Sequence, residues 1–275
     1  MEHLLKALPV GSCVLDLGSA GGSFATSRKD LLVVRLDLEH KVDKEAVLVI
    51  GDAASLPLRS QCCDLIIANH SLEHFLDLEN ALLEIGRVLK PTGSLFVSVP
   101  DASTLTDIVY RWLARGGGHV NPFVSYEALA AKLVAATKLR LKGTRTLCTS
   151  LSFLNSRNRR SRPPIRLYFL GGGTQLSLHL ATYLLRVLDR VLKTRTCVYG
   201  WALYLGAVEP NTSRSEIWSN VCVRCGSSHS SAALLDEKKV TQVGLLPLRR
   251  YHCPNCGTVN LFTDDFYYAH LATKD

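Results

Sequence analysis

Acidic residues are missing from the middle of this 275-residue chain. Between Glu127 and Asp189 there is neither Asp nor Glu, while eleven Lys and Arg residues fall in that stretch, from Lys132 to Arg186. A segment of one sign makes a local positive field that attracts phosphate or another anion, and a solvated basic surface accounts for the same pattern. A long apolar run is missing as well. The least charged stretch, Leu167 to Leu185, is broken by Gly171-Gly172-Gly173-Thr174-Gln175, which argues against a membrane-spanning helix. No long apolar stretch follows a basic start at Met1-Glu2-His3-Leu4, so no signal peptide is expected. Aromatic residues make up only 7% of the chain, but hydrophobic content is 47%, enough for one large domain and a small one. Four of the nine cysteines fall in two CxxC pairs. That usage suggests a reducing cytoplasm and a metal site in place of a disulfide framework.

What is present is ordered around Val14-Leu15-Asp16-Leu17-Gly18-Ser19-Ala20-Gly21-Gly22. The apolar run Cys13 to Leu17 reads as a buried strand that stops at a small-residue turn, and Ser23 to Lys29 is expected to start a helix. Glycines at such a turn let the backbone approach a ligand and aim N–H groups at it. A second run, Leu31 to Leu36, ends at Asp37, nineteen residues after Gly18. That spacing suits a βαβ unit that holds a ribose by its hydroxyls. Further strands are expected at Ala46–Ile50, before Gly51-Asp52-Ala53, and at Asp64–Ala68, before Asn69-His70-Ser71-Leu72-Glu73-His74. A helix over Leu78–Leu89 is broken by Lys90-Pro91-Thr92-Gly93, and Ser94–Val99 follows as a fifth strand. This alternation means a parallel sheet covered on both faces, with ligands at the carboxyl ends of its strands, where Asp16, Asp37, Asp52 and Asn69 fall.

Beyond Val99 the pattern predicts helices over Asp101–Arg115 and Ser125–Thr137, the second capped by Ser125, and an edge-like strand over Leu139–Leu147. Ser150 to Pro164 turns polar and Arg-rich, as a mobile loop or cap insertion would. Leu176 to Lys193 is amphipathic: Leu180, Leu184, Leu188 and Val191 share one face, and Arg186, Arg190 and Lys193 another. The apolar face is expected to pack on the sheet edge, with membrane-surface contact the competing use. Tyr199 to Val208 reads as the last strand.

VLDLGSAGGSFA, the acidic end of LVVRLD, GDAASLPL, CCDLIIANHSLEHF and ALLEIGRVLKPTGSLFVSVP together resemble the class I S-adenosylmethionine-dependent methyltransferases, and within them the type-11 group. The resemblance covers about residues 10–210. It implies an α/β, Rossmann-like, seven-stranded and mostly parallel sheet with helices on both faces. It also implies roles. Gly18, Ser19, Ala20 and Gly21 would pass under the methionine and ribose, with Asp16 helping to hold the amino group. Asp37, with Leu38 beside it, would bind the ribose hydroxyls. Asp52 would accept from the adenine amino group, Ala53 would meet a ring nitrogen, and Asn69 would offer its carbonyl to the methionine end. The family loop usually reads DxGxGxG, and Ala20 stands at one of its glycine positions. Only a dozen residues precede the first strand, so the usual N-terminal cap is expected to be short or absent. The acceptor pocket would then come from residues 100–123 and 148–196, which brings the Arg-rich segment to it.

The character changes after Pro210. Cys222-Val-Arg-Cys225-Gly226 and Cys253-Pro-Asn-Cys256-Gly257 set four thiolates in a layout that suits tetrahedral zinc, and the pattern resembles a zinc ribbon. Arg249–His252 and Thr258–Thr263 would be its hairpin strands. With four cysteine ligands no coordination position stays open, so the zinc is expected to be structural and to hold a small module together. The domains are therefore expected at 1–210, with a basic insertion at about 148–196, and at 211–275. The ribbon's partner is left open among a protein, its own neighbouring domain and nucleic acid, with protein or domain contact favoured.

Methyl transfer is an in-line displacement that needs a base only when the nucleophile carries a proton. His70, His74 and His119 are the candidates, and Cys62 and Cys63 look inert. No Asn-Pro-Pro-Tyr follows the fourth strand, which argues against exocyclic-amine methylation of nucleic acid. The expected function is O-methylation of an anionic, glycan- or lipid-linked small molecule by a cytoplasmic enzyme, with peripheral membrane contact open. The alternatives are an RNA methyltransferase gripping its substrate with the ribbon and the Arg-rich segment, and an inactive interaction protein.

Overall fold

A computed structural model describes residues 2–19, 22–24, 27–39, 46–105, 107–108, 111, 118–148, 175–207, 218–222, 224, 226–242 and 249–263. The chain divides into two compact units. The first comprises residues 1–100, 118–144 and 201–211, and the second residues 101–117, 145–200 and 212–275.

The first unit holds α1 (Glu2–Lys6) and five strands: β1 (Cys13–Leu17), β2 (Leu32–Asp37), β3 (Val47–Ile50), β4 (Cys63–Asn69) and β5 (Leu89–Pro100). They pair in parallel in the order β3-β2-β1-β4-β5. Its place inside the sheet explains the composition of β1. A parallel strand with neighbours on both sides and both faces covered takes apolar residues throughout, and Val14, Leu15 and Leu17 are fully buried. β3 is the edge, and Val47 and Ile50 are exposed there.

Helix α2 (Leu78–Val88) starts where Asp77 accepts a hydrogen bond from Asn80 N, and it buries Ala81, Leu82, Ile85 and Val88. Helix α3 (Tyr126–Thr137) has Ser125 as its N-cap, whose Oγ accepts from Ala128 N at 3.1 Å. A Cβ on Gly86 of α2 would lie 2.3 Å from the Ala136 carbonyl oxygen of α3, so glycine at 86 is what permits their close approach. Lys90-Pro91-Thr92-Gly93 was expected to separate helix from strand. It is instead the start of β5, with Leu89 paired to Cys63.

One expected element is not seen among the described residues. The described residues of Ser23–Lys29 form bends and turns, not a helix. Arg28 holds this stretch, donating to the carbonyls of Leu5 and Leu8 at 3.1 Å each, and pairing with Asp30. The backbone is tied to the N-terminal segment where the pattern alone suggested a helical turn.

The second unit holds the ends of β6 (Leu141–Cys148) and β7 (Val198–Gly206), strands that run through both units. It also holds α4 (Gln175–Leu192), β8 (Trp218–Val221), β9 (Ser228–Ser230), α5 (Ser231–Asp236), β10 (Val240–Gln242), β11 (Arg249–His252) and β12 (Val259–Leu261). β8 lies parallel to the end of β6, and β9 antiparallel to β8, so among the described residues the larger sheet counts nine strands where seven were expected. β10, β11 and β12 form a separate antiparallel sheet, which contains the expected hairpin. Of the helix expected over 101–115, Leu105, Asp107, Ile108 and Arg111 are helical, and 112–117 lie outside the described residues.

Helix α4 reverses the expected orientation. Leu180, Leu184, Leu188 and Val191 are exposed, while Thr182, Arg186 and Asp189, spaced four and three residues apart on the other face, are buried. Hydrogen bonding decides this. Arg186 donates to the carbonyls of Phe262 (2.6 Å) and Leu261 (2.9 Å) and to the Thr263 hydroxyl. Asp189 accepts from the Thr196 and Cys197 N–H groups and from the Thr194 and Thr196 hydroxyls. Buried charges are tolerated when their hydrogen bonds are made, and these seven side-chain bonds outweigh the apolar stripe here. The Arg-rich stretch 149–174 and the aromatic tail 264–268 lie outside the described residues.

Candidate active site

Strand order reverses between β1 and β4, and in sheets of this kind the crevice at that point takes the ligand. The turn after β1 and the turn after β4 flank it. Gly18 has φ +65°, and a Cβ there would stand 2.5 Å from Ser71 Cβ. Glycine is therefore required by conformation and by space together. The Gly18 and Ser19 N–H groups both point to the Leu36 carbonyl, and Gly22 N–H to the Ser19 carbonyl. Ala20 and Gly21, the irregular position and its neighbour, lie outside the described residues.

Asp16 is fully buried beneath this turn. Its carboxylate accepts from Ser23 N at 2.7 Å and faces the Arg35 guanidinium at 3.6 Å. Arg35 also donates to the Phe24 carbonyl at 2.6 Å and lies over the Phe24 ring. Arg35 is not marked by strand periodicity; its signal in the sequence is a cation inside an otherwise apolar strand, LVVRLD.

Register brings the other candidates to the same edge. Asp37 pairs with Ile50, so the end of β2 stands beside Gly51-Asp52-Ala53. Asp37 accepts from Glu39 N, Leu38 is exposed, Asp52 accepts from Ala54 N, and Ala53 is buried. Asn69, paired with Ser98, accepts from the Ser98 hydroxyl at 2.7 Å.

The turn after β4 carries two of the three histidines, His70 and His74. Leu72–His74 is a 3-10 turn. Segment 118–121 is stitched onto it: the Val120 and Asn121 N–H groups donate to the Glu73 carbonyl, and the Asn121 amide donates to the carbonyls of Leu72 and Phe75. His119 is thereby carried to His74, with ring centroids 4.9 Å apart. His70, at φ +52°, turns Nδ1 to within 3.7 Å of a Glu73 carboxylate oxygen. Burial alone would push the Glu73 carboxyl up. Its pKa is nonetheless displaced downward, because the facing His70 and the positive charge available at His70, His74 and His119 favour the carboxylate. Glu73 was also missed, although His-x-x-Glu-His places all three on one turn. Cys63 is buried, and the adjoining Cys13 thiol and burial both raise its pKa, in keeping with an inert thiol.

In the second unit the Sγ atoms of Cys222, Cys253 and Cys256 lie within 4.8 Å of one another, with Cys222 and Cys256 3.7 Å apart. Thiolates about 2.3 Å from a tetrahedral zinc stand about 3.8 Å apart, a spacing that the Cys222–Cys256 pair matches. The two knuckles repeat one hydrogen-bond scheme. Gly226 N–H donates to the Cys222 carbonyl and Gly257 N–H to the Cys253 carbonyl, while Cys222 and Cys253 donate to the carbonyls of Ser227 and Thr258. Arg224 N–H and the Asn260 amide donate to the Cys222 sulfur, and His229 Nε2 lies 3.4 Å from the Cys253 sulfur. Cys225 lies outside the described residues.

Residues 15–97 match the family model described as "Methyltransferase domain". This segment is similar to methyltransferase domains, and it contains the β1–β4 crevice. The chain is 35% identical over 142 residues to the malonyl-[acyl-carrier protein] O-methyltransferase of Methylococcus capsulatus, covering 50% of this chain and 48% of that protein. It is 33% identical over 105 residues to the tRNA (carboxymethyluridine(34)-5-O)-methyltransferase ALKBH8 of Mus musculus, covering 35% of this chain and 16% of that protein. The chain thus spans less than half the length of either relative. A SAM dependent methyltransferase from Archaeoglobus fulgidus superposes with a TM-score of 0.48 at 15% identity, over 71% of this chain and 86% of that one. Among the described residues no helix is long and apolar enough to cross a membrane.

Proposed function

We propose that the chain transfers a methyl group from S-adenosylmethionine to an oxygen atom of an anionic acceptor. The observation that carries this reading is the convergence of Gly18, Asp37, Asp52 and Asn69 on the carboxyl edge of β1–β4, inside the segment that matches the methyltransferase domain. The cofactor supplies an electrophilic methyl on a sulfonium. The chain's own residues do the rest: the Gly18–Gly22 turn and Asn69 hold the methionine end, Asp37 the ribose hydroxyls, and Asp52 with Ala53 the adenine. Asp16 acts indirectly on this reading, fixing the turn through Ser23 and neutralising Arg35. The names of both relatives give oxygen as the methylated atom and a carboxyl-bearing group as the acceptor. A carboxylate is already ionised at neutral pH, so His70, His74 and His119 are then needed to hold an anion, and as bases only for a hydroxyl.

We take residues 1–210 as the catalytic domain and 211–275 as a zinc-ribbon module in which Cys222, Cys225, Cys253 and Cys256 hold a structural zinc. The test is calorimetry of the full chain with S-adenosylmethionine, followed by transfer assays on carboxylate-bearing small molecules, an acyl-carrier protein and tRNA. Absence of cofactor binding at millimolar concentration overturns the reading. Methylation of tRNA alone, with affinity falling steeply with salt, selects the nucleic-acid acceptor that the basic stretch and the tRNA-acting relative support.

A further inference from the structure

Glu73, His74 and His119 offer three ligand atoms that all lie within 4.8 Å of one another, where segment 118–121 docks on the turn after β4. Three features make them more than a chance cluster. Glu73 is 2% exposed, and its Oε2 makes no hydrogen bond among the described residues. A carboxylate held this deep needs a compensating charge, and the side chains facing it are imidazoles. His74 places Nδ1 2.8 Å from the Gly118 carbonyl, which must accept, so Nδ1 carries the proton and Nε2 keeps its lone pair. Gly118 makes that contact possible: its φ is +73°, and a Cβ would stand 3.2 Å from His74 Nδ1. Third, His119 reaches the cluster because its neighbours Val120 and Asn121 are bonded to the Glu73 carbonyl, so ligand and scaffold are fixed by one turn.

We propose that Glu73, His74 and His119 form a second metal site, separate from the cysteine cluster, for a first-row divalent cation such as zinc. Two imidazoles and one carboxylate suit such ions, and three protein ligands leave a position open. That position takes an oxygen of the acceptor, a carboxylate or a pair of hydroxyls, and fixes it for in-line attack. His70 stands behind Glu73 as a positioning residue. The proposal deepens the methyltransferase reading and rests on it only for the identity of the fourth ligand.

The experiment counts metal on the intact full chain. Protein loaded with zinc and dialysed is weighed by native mass spectrometry, beside His119→Ala, Glu73→Gln and Cys253→Ser, with circular dichroism confirming that each is folded. The expected result is that His119→Ala and Glu73→Gln each carry one ion fewer than the parent chain, while the loss in Cys253→Ser is of a different ion. Cobalt substitution tells the two apart, because only the cysteine site gives intense sulfur-to-metal absorption, and that absorption persists in His119→Ala. Equal metal content in the parent and His119→Ala overturns the site, and so does loss of the thiolate absorption in that variant. If the glutamate variant does not fold, His74→Gln replaces it. The readout is independent of turnover: a chain that loses an ion in His119→Ala but never binds S-adenosylmethionine keeps the site and overturns the methyltransferase reading.

Discussion

Arg186, on α4, is buried and donates to the Phe262 carbonyl at 2.6 Å, closing the end of β12 onto the helix. Replacing it with leucine strips three acceptors of their donor and removes a bidentate cap. We expect Arg186→Leu to lose about 3 kcal/mol, in the range for breaking a buried charged network. Leu184→Ser and Leu188→Gln, on the exposed face, should each stay within about 0.5 kcal/mol. Urea unfolding of the three variants tests this. The reverse ranking would restore the apolar face as the buried one.

This helix marks where legibility ended. The methyltransferase segment could be read because parallel strands bury both faces and leave unbroken runs such as CVLDL and CDLIIAN, with functional groups at their ends. Four strand-end residues of the candidate site followed from that rule. Helix α4 misled because periodicity reports which side chains share a face, not which face is inside. Arg186 and Asp189 went inside because their partners lie 75 residues and more downstream, or in the turn at Thr194–Cys197. The helix expected at Ser23–Lys29 failed for a similar reason: Arg28 binds carbonyls near the N-terminus. His119 and Glu73 were each visible, but their meeting depends on loop 118–121 docking on the Leu72–His74 turn.

The cofactor turn makes a sharp prediction at Gly18. With φ +65° and only 2.5 Å to Ser71 Cβ, Gly18→Ala must shift the turn away from the crevice. Cofactor affinity should fall by at least about tenfold, and stability by about 1–3 kcal/mol. Asp37→Asn should weaken cofactor binding by a similar factor with a smaller effect on unfolding, since the amide keeps an oxygen that can accept from Glu39 N. Calorimetry paired with thermal melts separates the two. Equal melting losses would place Asp37 in the fold instead of the site.

Acid sensitivity should report on the loop that carries Asp52. Glu84 accepts from Arg87 through both oxygens and from Leu56 N, while Arg87 donates to the carbonyls of Leu56 and Leu58. Arg87 is the main reason the Glu84 carboxyl lies below its ordinary value of 4.5, with the Leu56 N–H adding to it and partial burial opposing. A carboxyl with a lowered folded pKa stabilises the fold above its unfolded value. That contribution therefore decays as pH falls below 4.5 and is gone once the folded pKa is passed. Glu84→Gln should flatten the acid limb of a stability–pH curve in that window, and lower stability at pH 7. An unchanged acid limb would assign the limb to other groups.

Chelation should separate the second unit from the first. The knuckle carbonyls and N–H groups are arranged to bring Cys222, Cys253 and Cys256 together, and among the described residues the core behind them is small: Cys222, Leu234, Tyr251, Cys253 and Phe262, with Val240 against it. Thiolates held at 3.7 Å repel one another unless protonated or bound to a cation, so removing zinc with a strong chelator should melt β10–β12 while β1–β5 persist. His229, 3.4 Å from the Cys253 sulfur, should modulate this without deciding it: His229→Ala should weaken zinc affinity about tenfold, against complete loss in Cys253→Ser. Hydrogen exchange with and without chelator gives the readout. Protection retained through residues 249–263 after zinc removal would mean that packing alone holds the hairpin and that the cysteines are not structural ligands.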